Sequence, residues 1–79
     1  MIHYVALAFV RIDSGLAPGE AVECRLPGVA IRRAQAMSSH EANAGAVAFA
    51  RQEWSDLGAY GDAVILKQFG EVPEDFDIA

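Results

Sequence analysis

Ala6-Leu7-Ala8-Phe9-Val10-Arg11 and Ala46-Val47-Ala48-Phe49-Ala50-Arg51 spell one pattern, AxAFxR, twice in the same chain. Each copy is followed, after a polar stretch containing glycine, by a second shared motif: Gly19-Glu20-Ala21-Val22 and Gly61-Asp62-Ala63-Val64. Two motifs in the same order point to an internal duplication. Within each copy the alternation of Val5, Leu7 and Phe9, or of Val47 and Phe49, puts those residues on one face of a strand. The turn formers Asp13-Ser14-Gly15, Pro18-Gly19, Ser55-Asp56 and Gly58 then divide each half into a β-hairpin.

The repeat predicts a register. With Arg11 opposite Glu20, Phe9 faces Val22 and Leu7 faces Cys24. In the second half Arg51 lies opposite Asp62, Phe49 opposite Val64, and Val47 opposite Leu66. Opposite charges and apolar pairs then coincide in both hairpins, as cross-strand pairing favours.

Between the hairpins, Pro27 fits a first helical position, and Ala30, Ile31, Ala34 and Met37 recur at helical spacing. Arg32, Gln35 and Ser39 fall on the wet face, and Asn43 and Gly45 supply the stop. The expected fold is α+β, ββαββ: a four-stranded antiparallel sheet of order 2-1-3-4 with one main helix on one face. A pseudo-twofold axis would lie between the first and third strands. Hairpin 1 spans about residues 2–25, the helix about 27–41, hairpin 2 about 44–69, and an acidic tail 70–79. Pro73-Glu74-Asp75-Phe76 allows at most a short C-terminal helical turn.

Composition narrows function. The chain of 79 residues, 53% hydrophobic, makes one small domain with one core. Its net charge of −5 is concentrated in Glu71, Glu74, Asp75 and Asp77. Six scattered basic residues are a poor basis for nucleic-acid binding. The apolar run Tyr4–Val10 is too short to span a bilayer. A lone cysteine, Cys24, excludes an intramolecular disulfide or a CxxC site and fits a reducing cytoplasm. No catalytic signature is present, two histidines without clustered partners make no metal site, and no cofactor is implied. The expectation is a protein that is not an enzyme.

Three sets of residues remain as candidates. Arg11 and Arg51 recur at equivalent positions and could form a rim that clamps a carboxylate or phosphate, or each could pair with its own acid. Trp54 and Tyr60, with Leu57 between them, occupy the longer loop, as partner-binding aromatics or as a flap over a core edge. Ala6, Ala8, Ala46, Ala48 and Ala50 share a sheet face expected to lie away from the helix. A flat, small-residue apolar face with a charged border reads as a homodimer interface, unless Phe76 and Ile78 of the tail cover it.

Four stretches, Ala17–Cys24, Ala30–Ala34, Ala46–Arg51 and Phe69–Asp75, together resemble a group of small bacterial proteins of unassigned function. That resemblance implies a compact domain and no catalytic residue. Tyr4-Val5-Ala6-Leu7, followed by Leu26-Pro27-Gly28 and a helix, is also similar to antitoxins of the HicB type, although those place another strand before the helix. Such a likeness implies a regulator. The expected function is thus a small cytoplasmic protein-interaction module that self-associates through the Ala-rich face and meets an unidentified protein partner through the Trp54–Tyr60 loop or acidic tail. The rival readings are a small-ligand binder or enzyme using the Arg11/Arg51 rim, and an antitoxin-like regulator.

Overall fold

The structure, a computed structural model, describes residues 1–54 and 56–74. Five strands and one helix follow in the order β1 (Ile2–Ile12), β2 (Gly15–Cys24), α1 (Pro27–Ser38), β3 (Gly45–Trp54), β4 (Ala59–Tyr60) and β5 (Val64–Gly70). The long strands form the expected antiparallel sheet, β2-β1-β3-β5, with β1 and β3 at its centre. The two-residue β4 extends the β5 edge by pairing with the far end of β3. No helix among the described residues is long and apolar enough to cross a membrane.

The two AxAFxR strands are direct neighbours. Ala6 faces Ala48, Ala8 faces Ala46, and Leu7 faces Val47, its own counterpart in the repeat. The return strands do not follow the same symmetry: Val22 lies opposite Ala6, whereas Val64 lies opposite Ala50.

Both predicted hairpin registers are corrected. In the first, Ile12 pairs with Gly15 across a two-residue turn, so Arg11 faces Leu16, Phe9 faces Pro18, Leu7 faces Ala21 and Tyr4 faces Cys24. Asp13-Ser14 suffices for the turn, with Gly15 at φ +137° accepting a conformation other residues avoid. Pro18 is tolerated because β2 is an edge strand. Gly19 and Glu20 then form a bulge opposite Ala8, where the register shifts. In the second hairpin β3 runs on to Trp54, so Phe49 faces Ile65 and Val47 faces Gln68. Arg51 has no strand partner in Asp62, which lies between β4 and β5.

The helix starts where it was expected but ends at Ser38 rather than near 41. Pro27 opens it, and Ala30, Ala34 and Met37 are its buried residues. The Asn43 side-chain amide donates to the Met37 carbonyl at 2.9 Å, satisfying one of the orphan acceptors at the helix end. Any helical turn beyond Glu74, and the expected cover from Phe76 and Ile78, lie outside the described residues.

The face beneath the helix is the opposite of the one expected. Ala6, Ala8, Ala46 and Ala48 pack directly against Ala30, Ala34 and Met37, all within one buried cluster. Leu7, Phe9, Val47 and Phe49 form a second buried cluster on the other face, with Val5, Ala63 and Val72 against it. Strand alternation tells which residues share a face; it does not tell which face a helix covers. Here the small residues of α1 meet small residues of the sheet, so backbones approach closely and interior packing density is kept. The bulky set takes the face without the helix. Phe9 and Val47, each contributing about 1.5–3 kcal/mol by burial, anchor it.

Candidate functional site

One end of the sheet gathers the start of β1, the end of β2, the end of β3 and β4. His3 sits opposite Arg51 on β3, and Val5 sits opposite both Phe49 and Glu23. By the period of two these residues share the face that carries Leu7 and Phe9. Glu53 faces Tyr60 across β3 and β4 and joins the same face. A cleft of about 250 Å³ opens among His3, Val5, Glu23, Phe49, Arg51 and Tyr60.

His3 is held between two carboxylates. Its Nδ1 lies 2.6 Å from Glu23 Oε2, and its Nε2 lies 2.5 Å from Glu53 Oε1. Only the imidazolium can donate through both nitrogens, because neutral imidazole turns one lone pair toward an anion. The Glu23 hydrogen bond first, and then that of Glu53, raise the His3 pKa above its ordinary 6.5. The His3 hydrogen bond in turn holds the Glu53 carboxyl below its ordinary range, with a smaller contribution from the Tyr60 hydroxyl. The three strand ends are thereby tied by one side chain.

The stability consequence has a defined sign. A folded pKa above the unfolded one means the His3 contribution is complete below about pH 6.5 and is lost as pH rises through the raised value. For Glu53 the contribution is present above its unfolded pKa and is lost as pH falls through the lowered one. Thermal melting followed by circular dichroism is expected to show wild type losing stability from pH 6.5 upward. His3→Gln removes that segment of the pH profile; a variant melting in parallel with wild type throughout would contradict the clamp.

Arg51 donates from Nε to the Gly61 carbonyl at 3.1 Å, and its guanidinium lies 5.1 Å from the centre of the Tyr60 ring. Arg11 lies at the other end of β1, where it forms an ion pair with Glu71 over an open groove of about 570 Å³. Eight residues of strand, roughly 26 Å, separate Arg11 from the position opposite Arg51. Neighbouring antiparallel strands place equivalent residues at opposite ends, so the two arginines share no rim.

Trp54 and Tyr60 are both exposed, but on strand ends rather than in a loop, and on opposite faces. Tyr60 leans toward Arg51, whereas the Trp54 ring covers Gly61, where an added Cβ would meet it at 3.1 Å. Ala6, Ala8, Ala46 and Ala48 are completely buried beneath α1 and present no free surface; Ala50 is half-buried. Cys24 is half-buried on that helix side, its thiol 3.8 Å from the Val22 carbonyl oxygen. Among the described residues no group of three or more His, Cys, Asp or Glu side chains could hold a metal.

The His3 clamp escaped sequence reasoning because Glu23 depends on the hairpin register. His3, Val5, Arg51 and Glu53 were already assignable to one face by alternation. No protein-family model matches the chain, and neither the curated proteins nor the solved structures provide a match.

Proposed function

We propose that the protein is a non-enzymatic interaction module that self-associates as a twofold dimer through the open end of its sheet. One observation carries this reading. Nine large hydrophobic residues are exposed among those described, and eight of them cluster at this end: Met1, Ile2, Leu26, Trp54, Leu57, Tyr60, Val64 and Ile65. Ile12 alone lies at the other. Scattered exposed hydrophobics need no explanation, but their gathering at one end of the sheet, on both faces, supports a contact made by that end.

Charge favours a second copy as the occupant. Glu71 follows β5 at the far end of the sheet, where it pairs with Arg11 and stays away from the apolar end. Two copies meeting end to end bring together their most apolar surfaces and leave the Glu71 of each outside the contact. The lone Cys24 suits a reducing compartment, and we place the module in the cytoplasm.

Gel filtration with light scattering tests this. Wild type is expected at dimer mass. Leu57→Glu alters a side chain 74% exposed in the turn before β4 and leaves the core untouched. It is expected to weaken the dimer by on the order of tenfold or more. A wild type of monomer mass at every concentration, or a Leu57→Glu dimer as tight as wild type, overturns the reading.

A further inference from the structure

We infer that His3 makes the open end pH-responsive: as imidazolium it bridges Glu23 and Glu53 and offsets their charge, and on losing its proton it releases Glu23 and weakens the dimer. The inference rests on the self-association reading and adds its regulation.

Geometry supplies the first half. The two carboxylates that His3 holds come from different strands, Glu23 from β2 and Glu53 from β3. Neutral imidazole retains one N–H and can keep one of them. Glu23 is the one to leave, because its side chain is 62% exposed and water can solvate it, against 24% for Glu53. Glu53 is further held at its backbone, where its N–H donates to the Met1 carbonyl at 2.7 Å and its carbonyl accepts from the Met1 amino group at 2.9 Å. Release of Glu23 opens one wall of the cleft, while the β2 backbone stays paired, Glu23 with Val5 and Cys24 with Tyr4.

Charge supplies the second half. Among the described residues, the carboxylates on the His3 ring are those of Glu23 and Glu53, and Arg51 lies opposite His3 on β3. The Tyr60 ring lies beside Arg51 and 6.4 Å from the His3 ring. The imidazolium offsets one of the two carboxylates it touches. Loss of its proton makes this end of each copy more negative by one charge, and a twofold contact sets the two ends against each other. By linkage, association that favours the protonated form must hold the proton more tightly in the dimer than in the monomer.

Sedimentation velocity at pH 5.5 and pH 8.5, on wild type and His3→Gln, tests the inference. Glutamine keeps hydrogen-bonding capacity and never carries the charge. The wild-type dimer is expected to dissociate on the order of tenfold more readily at the higher pH. His3→Gln is expected to show a clearly smaller change between the two pH values than wild type. His40, the other histidine, lies beyond α1, where its Nδ1 accepts from the Ala42 N–H, and it remains in both proteins as an internal control. A wild-type dimer equally tight at both pH values, or a pH response retained in full in His3→Gln, overturns the regulation and leaves self-association standing. A wild type that is monomeric at both overturns both.

Discussion

Replacement of Gly45 by alanine is expected to destabilise the protein by more than about 3 kcal/mol. A Cβ at that position would run into the Glu71 carbonyl oxygen and lie 2.5 Å from its nitrogen and 2.6 Å from the Phe69 carbonyl oxygen. All three are backbone atoms, so no side chain can swing aside. Gly45 opens β3 where it touches both neighbours, opposite Phe9 on β1 and Gly70 on β5. The flanking hydrogen bonds, from the Ala44 N–H to Phe9 at 2.8 Å and from the Glu71 N–H to Ala44 at 3.0 Å, fix the crowding in place. Relief requires β5 to separate from β3, which exposes Phe69 and uncovers one side of Ala46. The cost should exceed the ~1–3 kcal/mol usual for overpacking, against a total of only ~4–12 kcal/mol for a chain of this size. Gly58→Ala is the control: it pays for φ +62° but meets open space, so about 1 kcal/mol is expected. Urea unfolding measures both. A Gly45→Ala loss no larger than that of Gly58→Ala would show that β5 is not held as described.

Ala48→Arg is expected to be nearly as damaging, for a different reason. Ala48 has no exposed surface, lies opposite Ala6 on β1, and belongs to the cluster packed against α1. The described core contains no polar or charged residue that could receive a guanidinium. The side chain must either lift the helix or bury an unpaired charge, and either costs upwards of ~3 kcal/mol. Ala36→Arg, on the exposed side of the same helix, should change stability by no more than about 0.5 kcal/mol. On an open sheet face the two substitutions would be equally mild. A cooperative melt of Ala48→Arg at the wild-type temperature would restore that open face.

Much of the architecture was legible because it depends on short-range signals. Pro27 and the spacing of Ala30, Ala34 and Met37 define a helix in any context, and the runs around Phe9 and Phe49 could only be central strands. Two features were not legible. Register depended on whether Asp13-Ser14-Gly15 or Pro18-Gly19 makes the turn, and the sequence offers both; the edge position of β2, which excuses Pro18, is a tertiary fact. The choice of face depended on the fit between a small-residue helix and a small-residue sheet, and period-two alternation is silent on that. The candidate site inherited both errors. Arg51 and Tyr60 were found, but Glu23 was on the wrong side of its strand, and Arg11 was joined to a partner at the opposite end of the sheet.

The order of pairing also sets the course of folding. Hairpin 1 closes through two residues, so β1 and β2 can meet within microseconds, and α1 is equally local. The partner for the other edge of β1 arrives about forty positions later in the chain, and its docking closes the longest loop in the fold. Until then Ala6–Phe9 presents an apolar strand edge with unpaired backbone groups, open to the third strand of another molecule as readily as to its own. Since that strand carries the same AxAFxR pattern as β1, each chain contains two segments able to compete for the same edge. Refolding yield should therefore fall with protein concentration, through exchange of the second hairpin between chains.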